Sequence, residues 1–185
     1  TLIQSVADYV LNLYFASERA LYVNMYAPSE LLWRVSGMPV KVTQSTDYPE
    51  SGAIQLRLGL PARAKFDMNF RIPAWLARPA RLSVNGNAVP VPAAPRTFAR
   101  ISREWKDGDT VHLELPVTMR TEPIDERHPQ RVALMEGPCM MVAVNPAPGL
   151  ADTPLRLPDD LNVLELKPFH AVRDEVYTTY FLKRV

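Results

Sequence analysis

Ile54-Gln55-Leu56-Arg57-Leu58-Gly59-Leu60-Pro61 and Phe66-Asp67-Met68-Asn69-Phe70-Arg71-Ile72-Pro73 place an apolar side chain at every second position. Successive side chains of an extended chain point to opposite faces, so each stretch reads as a strand with one dry face and one wet face. Each ends at a proline, which has no N–H for the next rung of a ladder. The same period continues on both sides. Leu21, Val23 and Met25 alternate with Tyr22, Asn24 and Tyr26, and Val40 and Val42 form a short strand before Thr43-Gln44-Ser45-Thr46. Leu82-Ser83-Val84, Asn85-Gly86 and Ala88-Val89 predict a hairpin, because Asn-Gly supplies the positive φ angles of a type I′ turn. Lys106-Asp107-Gly108-Asp109 is a second tight turn, opening onto Val111, Leu113 and Leu115 with His112 and Glu114 facing away. Strands this short, with turn chemistry between them, predict a mainly β chain built as an antiparallel β-sandwich, or as two packed sandwich units.

Composition agrees. Proline makes up 18 of 185 residues, about twice the usual ~5%, and glycine only 7. Proline blocks helix interiors and central strands, so this frequency predicts short segments joined by rigid turns. A net charge of +1 argues against a nucleic-acid or membrane surface, since both call for a large basic excess. No apolar run approaches the ~20 residues that span a bilayer. The single cysteine, Cys139, excludes an internal disulfide and a multi-cysteine zinc cage built by this chain alone.

Leu2, Val6, Tyr9, Val10 and Leu13 recur at helical spacing, predicting one N-terminal amphipathic helix over about residues 2–16. Thr1 leads directly into this pattern without an initiator methionine, so the chain is expected to start inside a longer protein. Beyond the sandwich, Arg120 to Gln130 reads as a looser polar region and Val132–Met135 and Met140–Val144 as strands. Residues 145–158 read as a loop rich in Pro and Gly, and Val163–Leu166 and Tyr177–Leu182 as the last strands. The expected organisation is a helix over 1–17, a β-sandwich over 18–116, and a second sheet or C-terminal β subdomain over 117–185.

Leu21-Tyr22-Val23-Asn24-Met25-Tyr26-Ala27-Pro28-Ser29 resembles the strand that follows the catalytic barrel in glycoside hydrolase family 127, best known for β-L-arabinofuranosidase activity. Gln44-Ser45-Thr46-Asp47-Tyr48-Pro49, Arg71-Ile72-Pro73-Ala74-Trp75 and Val84-Asn85-Gly86 follow in the family's order. So do Arg103-Glu104-Trp105-Lys106-Asp107-Gly108-Asp109, Glu136-Gly137-Pro138 and the closing Pro168-Phe169 and Asp174-Glu175-Val176-Tyr177-Thr178-Thr179-Tyr180-Phe181. The resemblance implies an (α/α) barrel catalytic domain upstream, with residues 1–17 as its terminal helix and this chain as the C-terminal β-sandwich region. It further implies a retaining mechanism with a cysteine nucleophile on a zinc ion and a glutamate acid/base, all in the missing barrel. None of those positions exists here, and Cys139 stands where the family usually has an aliphatic residue. The expectation is a non-catalytic accessory region of an enzyme acting on arabinose-containing glycans. The alternative is a stand-alone carbohydrate-binding or structural interaction domain.

Candidate sites are weighed against ordinary structural roles. Cys139, followed by Met140, Met141 and Val142, reads as an inert core thiol, since a catalytic thiolate wants a histidine, cation or metal beside it. Glycosidases use two carboxylates roughly 5–10 Å apart. Asp107/Asp109, Glu122/Asp125/Glu126, Asp159/Asp160 and Asp174/Glu175 are the nearest to such pairs. They sit at turns or loops, and adjacent acids on a strand face opposite ways. His112, His128 and His170 lack metal-ligand spacing. Among the aromatics, Trp75 and Trp105 read as core-edge packing, and Trp33 is the one candidate for contact with a sugar ring. The expected partners are the missing barrel and a glycan. A homodimer through the first helix is a further expectation, since wide apolar stripes tend to be covered.

Overall fold

The structure, a computed structural model, describes residues 9–146 and 155–183. The chain divides into two compact units, Thr1–Pro116 and Val117–Val185.

The first unit contains β1 (Tyr14–Ala16), β2 (Ala20–Val23), β3 (Ser29–Val35), β4 (Met38–Thr46), β5 (Ala53–Gly59), β6 (Ala64–Ile72), β7 (Arg81–Val84), β8 (Asn87–Ala88), β9 (Thr97–Trp105) and β10 (Thr110–Glu114). They form a four-stranded sheet in the order β1-β2-β6-β9 and a six-stranded sheet in the order β3-β4-β5-β10-β7-β8. All ladders are antiparallel except β2 on β6, where Leu21 lies beside Met68 and Val23 beside Phe70. The dry faces read from the sequence meet in one core: Phe66, Met68, Phe70 and Ile72 from one sheet, Ile54, Leu56 and Leu58 from the other. Trp105 is fully buried, stacks on Phe66 at 5.8 Å and donates its indole N–H to the Phe66 carbonyl at 3.0 Å.

Turn chemistry sets the registers. Asn85 (φ 51°) and Gly86 (φ 80°) occupy the left-handed region and pair Val84 with Asn87, as Asn-Gly predicts. Ser36 (φ 49°) and Gly37 (φ 85°) close the β3–β4 hairpin in the same way. The predicted turn at 106–109 is pinned by side chains. Asp107 accepts from the Leu60 N–H at 3.0 Å, while Asp109 accepts from the Asn85 amide at 2.8 Å and the Lys106 N–H at 3.0 Å.

Residues 9–11 are helical, and residues 1–8 of the expected helix lie outside the described ones. Its far end is corrected, because Tyr14–Ala16 is a strand paired with Val23–Leu21. The cause is tertiary. Asn24 and Met25 donate to the Leu13 carbonyl at 2.9 and 3.2 Å, and the Tyr14 hydroxyl meets Ser29 at 2.8 Å. These partners displace the next helical turn. The strand expected at Val40–Val42 runs on to Thr46, since Gln44 finds partners on the dry face. Its amide donates to the Ala27 carbonyl at 2.9 Å and the Tyr14 hydroxyl at 3.0 Å.

The second unit contains β11 (Met119–Pro123), β12 (Arg131–Glu136), β13 (Cys139–Val144), β14 (Leu155–Arg156), β15 (Leu166–Pro168), β16 (Tyr177–Thr178) and β17 (Tyr180–Leu182). They form one sheet on a small core of Val132, Leu134, Met141, Ala143 and Phe181. Two expectations are corrected. The start of the region expected to be loose over Arg120 to Gln130 is part of a strand, Met119–Pro123, that pairs with β12 along its length. The strand expected at Val163–Leu166 is instead a 3₁₀ turn over Leu161–Val163, capped by Asp160 on the Asn162 N–H at 2.9 Å, with the strand starting at Leu166. Among the described residues no helix is long and apolar enough to cross a membrane.

Asp109 is 1% exposed. Burial alone would raise its carboxyl, but the Asn85 amide, the Lys106 N–H and the charges of Arg103 and Lys106 outweigh it and hold Asp109 below the usual carboxylate range. A depressed native value means that the stabilisation is present at neutral pH and is lost as pH falls through that value. Asp109→Asn is expected to cost about 1–3 kcal/mol in urea unfolding at pH ~7, by leaving a buried donor opposed to a donor. The gap from the parent chain should narrow once pH drops below ~4. An unchanged midpoint at neutral pH would count against this role.

Candidate functional site

At least one member of each candidate carboxylate group is engaged locally. Asp107 and Asp109 pin the turn described above. Glu122 pairs with Arg120, and Asp125 holds the His128 ring at 2.9 Å, which keeps the Asp125 carboxyl below its ordinary range. Asp160 is a turn cap. Glu175 is drawn down to about 2, first by the Lys167 ammonium and then by the Arg173 N–H. No three His, Cys, Asp or Glu side chains gather to hold a metal ion among the described residues. The zinc implied by the resemblance therefore has no fitting donor set in them, and no chemical step here runs through it. Cys139, expected to be fully buried, is half-buried instead, because it sits at the end of the β12–β13 hairpin opposite Glu136.

The tryptophans serve the sandwich. Trp33 lies on the inner side of β3, edge-on to Phe66 at 5.3 Å and 90°, and donates its indole N–H to the Ser17 carbonyl at 3.1 Å. Trp75 packs half-buried against the same core. Arg103 opposes Phe66 and lies over the Trp105 ring at 5.1 Å. The indole face supplies the partner that a cation needs on the inner side of a sheet. Arg71 faces outward and donates to the Asn24 carbonyl at 2.6 Å.

The outer face of the four-stranded sheet carries the features that the sequence reading missed. Along it run Phe15, Tyr22 and Phe98, with Tyr22 and Phe98 edge-to-face at 5.4 Å and 88°. Rings at right angles share no flat surface on which one sugar could stack. Further along the face is an open cavity of about 570 Å³ lined by Arg19, Ser36, Lys65, Asp67, Arg100 and Ser102. Lys65 and Asp67 come from one face of β6, and Ser102 stands directly across from Asp67 on β9. Arg100 pairs with Asp67 at 2.6 Å. The Arg19 carbonyl accepts from the Asp67 N–H at 3.0 Å, which fixes the start of β2 at the cavity rim. Alternation on β6 and β9 could have shown these polar positions sharing a face. The parallel pairing of β2 with β6, which brings Arg19 in, has no local signal.

One mixed and one antiparallel sheet packed on a single core define a β-sandwich. Residues 20–117 match the family model described as "Beta-L-arabinofuranosidase, GH127 middle domain", and the chain belongs to that family. Where the sequence reading expected a C-terminal region, this part is middle-domain material. Among solved structures, the chain is similar to Ara127N, a GH127 β-L-arabinofuranosidase from Geobacillus stearothermophilus T6. The TM-score is 0.80 at 22% identity, over 99% of this chain and 36% of that one. It is also similar to the GH127 β-arabinofuranosidase BT3674, with TM-score 0.73 and 21% identity over 93% and 36% of the two chains. A protein described as a glycoside hydrolase matches with TM-score 0.65 and 28% identity over 71% and 22%. The likeness at 21 and 22% identity is one of fold. This chain spans about a third of the length of those two enzymes. No curated protein matches.

Trp33→Ala is expected to cost about 1–3 kcal/mol of stability through lost burial and a stranded Ser17 carbonyl. Thermal melts and arabino-oligosaccharide titrations of both chains check it. A stable variant with lost sugar affinity would make Trp33 a contact residue instead.

Proposed function

We propose that this chain is the non-catalytic β-sandwich region of a glycoside hydrolase acting on arabinose-containing glycans. Its role is to support a catalytic barrel encoded in the same protein, with residues 117–185 as the β unit that follows the middle domain. The observation that carries this reading is the family match over residues 20–117, joined to candidate carboxylate groups in each of which at least one member is engaged in a turn or a local ion pair. The similar enzymes devote about a third of their length to this fold, which leaves the larger part for the chemistry. The zinc and the cysteine nucleophile belong to that larger part in this reading.

The surface on which a barrel would seat is the apolar edge made by Val10, Leu11 and Phe15, which are 70, 74 and 48% exposed. Apolar residues this exposed and this close in sequence mark an interaction surface rather than ordinary exterior. On the isolated chain the same edge would promote a homodimer.

The isolated chain is expected to show no turnover of an aryl β-L-arabinofuranoside above the buffer rate, whereas the complete protein should hydrolyse it. Hydrolysis by the isolated chain at enzymatic rates would overturn the reading. In light scattering, Leu11→Ser with Phe15→Ser should shift the isolated chain toward monomer. A parent chain that is already monomeric at high concentration would contradict the role given to that edge.

A further inference from the structure

We propose that the cavity on the outer face of the four-stranded sheet is a binding site for an acidic sugar, a uronic acid residue of a glycan. The choice of a sugar rests on the glycan reading above, whereas the choice of an acidic one rests on the cavity itself.

Arg19, Lys65 and Arg100 line the cavity together with a single carboxylate, Asp67, so the lining carries a net charge of +2 where the whole chain carries +1. Arg100 is already paired with Asp67 at 2.6 Å. Glu104, which lies directly across from Lys65, is drawn to Arg63 at 3.3 Å, away from the cavity. Neither Arg19 nor Lys65 has an ion-pair partner among the described residues. Two cations converging on a concave surface favour an anion, and an arginine fork matches a carboxylate in particular.

The rest of the lining suits the hydroxyls of a pyranose ring. Ser102 offers a hydroxyl that can donate or accept, and the Asp67 carboxylate keeps acceptor sites beyond the one given to Arg100. The third group is Ser36. It sits at φ 49°, in the first central position of a type I′ turn where Gly, Asn and Asp are ordinarily favoured. A serine at this strained position in the cavity lining is better explained by a ligand contact than by turn stability. A volume of about 570 Å³ admits a monosaccharide or disaccharide unit.

The test is titration of the full chain with digalacturonate, read by calorimetry and by amide NMR shifts at Ser36 and Ser102. Neutral arabinobiose and fully methyl-esterified digalacturonate serve as controls. The expectation is millimolar binding of the free acid, weaker binding of both controls, and loss of affinity as salt rises. Lys65→Gln, at an exposed position, should weaken binding about three- to fivefold without changing the melting temperature. Ser36→Gly, which suits the turn, should weaken binding while leaving the fold as stable or more so. No binding of the acid, equal binding of the esterified control, or affinity unmoved by both substitutions would overturn the proposal. Those results leave the non-catalytic reading standing, since that depends on hydrolysis. Conversely, turnover by the isolated chain would sink that reading without touching the cavity.

Discussion

Phe66, Met68, Phe70 and Ile72 are at most 2% exposed, and the strand that carries them is the constraint on which the rest of the first unit depends. Each such side chain contributes about 1.5–3 kcal/mol when taken out of water, so this single row is comparable to the net stability of an ordinary domain. β6 is also the only strand in its sheet that pairs on both sides over long stretches: β2 runs parallel along one edge and β9 antiparallel along all of the other. The dry face fixes the register, because a slip by one residue would turn Lys65, Asp67 and Arg71 into the core. What lies on the wet face is therefore not free to vary independently. The same pairing that buries Phe66 and Met68 sets Asp67 across from Ser102 and beside the end of Arg19.

The strands with clean alternation were legible from the sequence for the same reason. β5 and β6 each keep apolar residues on one side over their whole length, so the two-residue period survives unbroken. Legibility fails where a residue's environment is supplied from far away. β3 was missed because Leu32, 80% exposed, stands between Leu31 and Trp33 and blurs the period. β9 was missed because Phe98 faces out against Tyr22 of another strand and Arg103 faces in over the Trp105 ring, so the two-residue period breaks at both. Gln44 ended the apparent strand at Val42, although its amide N–H group donates to the Ala27 carbonyl and the Tyr14 hydroxyl. At Tyr14–Ala16 the local pattern favoured a helix and long-range hydrogen bonds prevailed.

The candidate cavity shows the same division. Ser36-Gly37 is a turn dipeptide, and the polar character of Lys65, Asp67, Arg100 and Ser102 is visible in the sequence as the wet side of two strands. Their convergence is a product of topology. The β3–β4 turn, the start of β2, and the middle of β6 and β9 come from four separated parts of the chain. No spacing rule connects residues 19, 36, 65 and 100.

Family membership and the cavity bear on different questions. The family match concerns the architecture, and the buried face of the sandwich is enough to maintain it. Nothing in that architecture requires Arg19 and Lys65 to stand without counter-ions beside a strained serine. A bare cation pair on a scaffold costs rather than contributes stability, by like-charge repulsion that salt only partly screens. A sandwich whose sole duty was to brace another domain would gain from a glutamate at either position. That such a pair sits in a concavity with hydroxyls around it is the physical reason for regarding the outer face as more than a support surface.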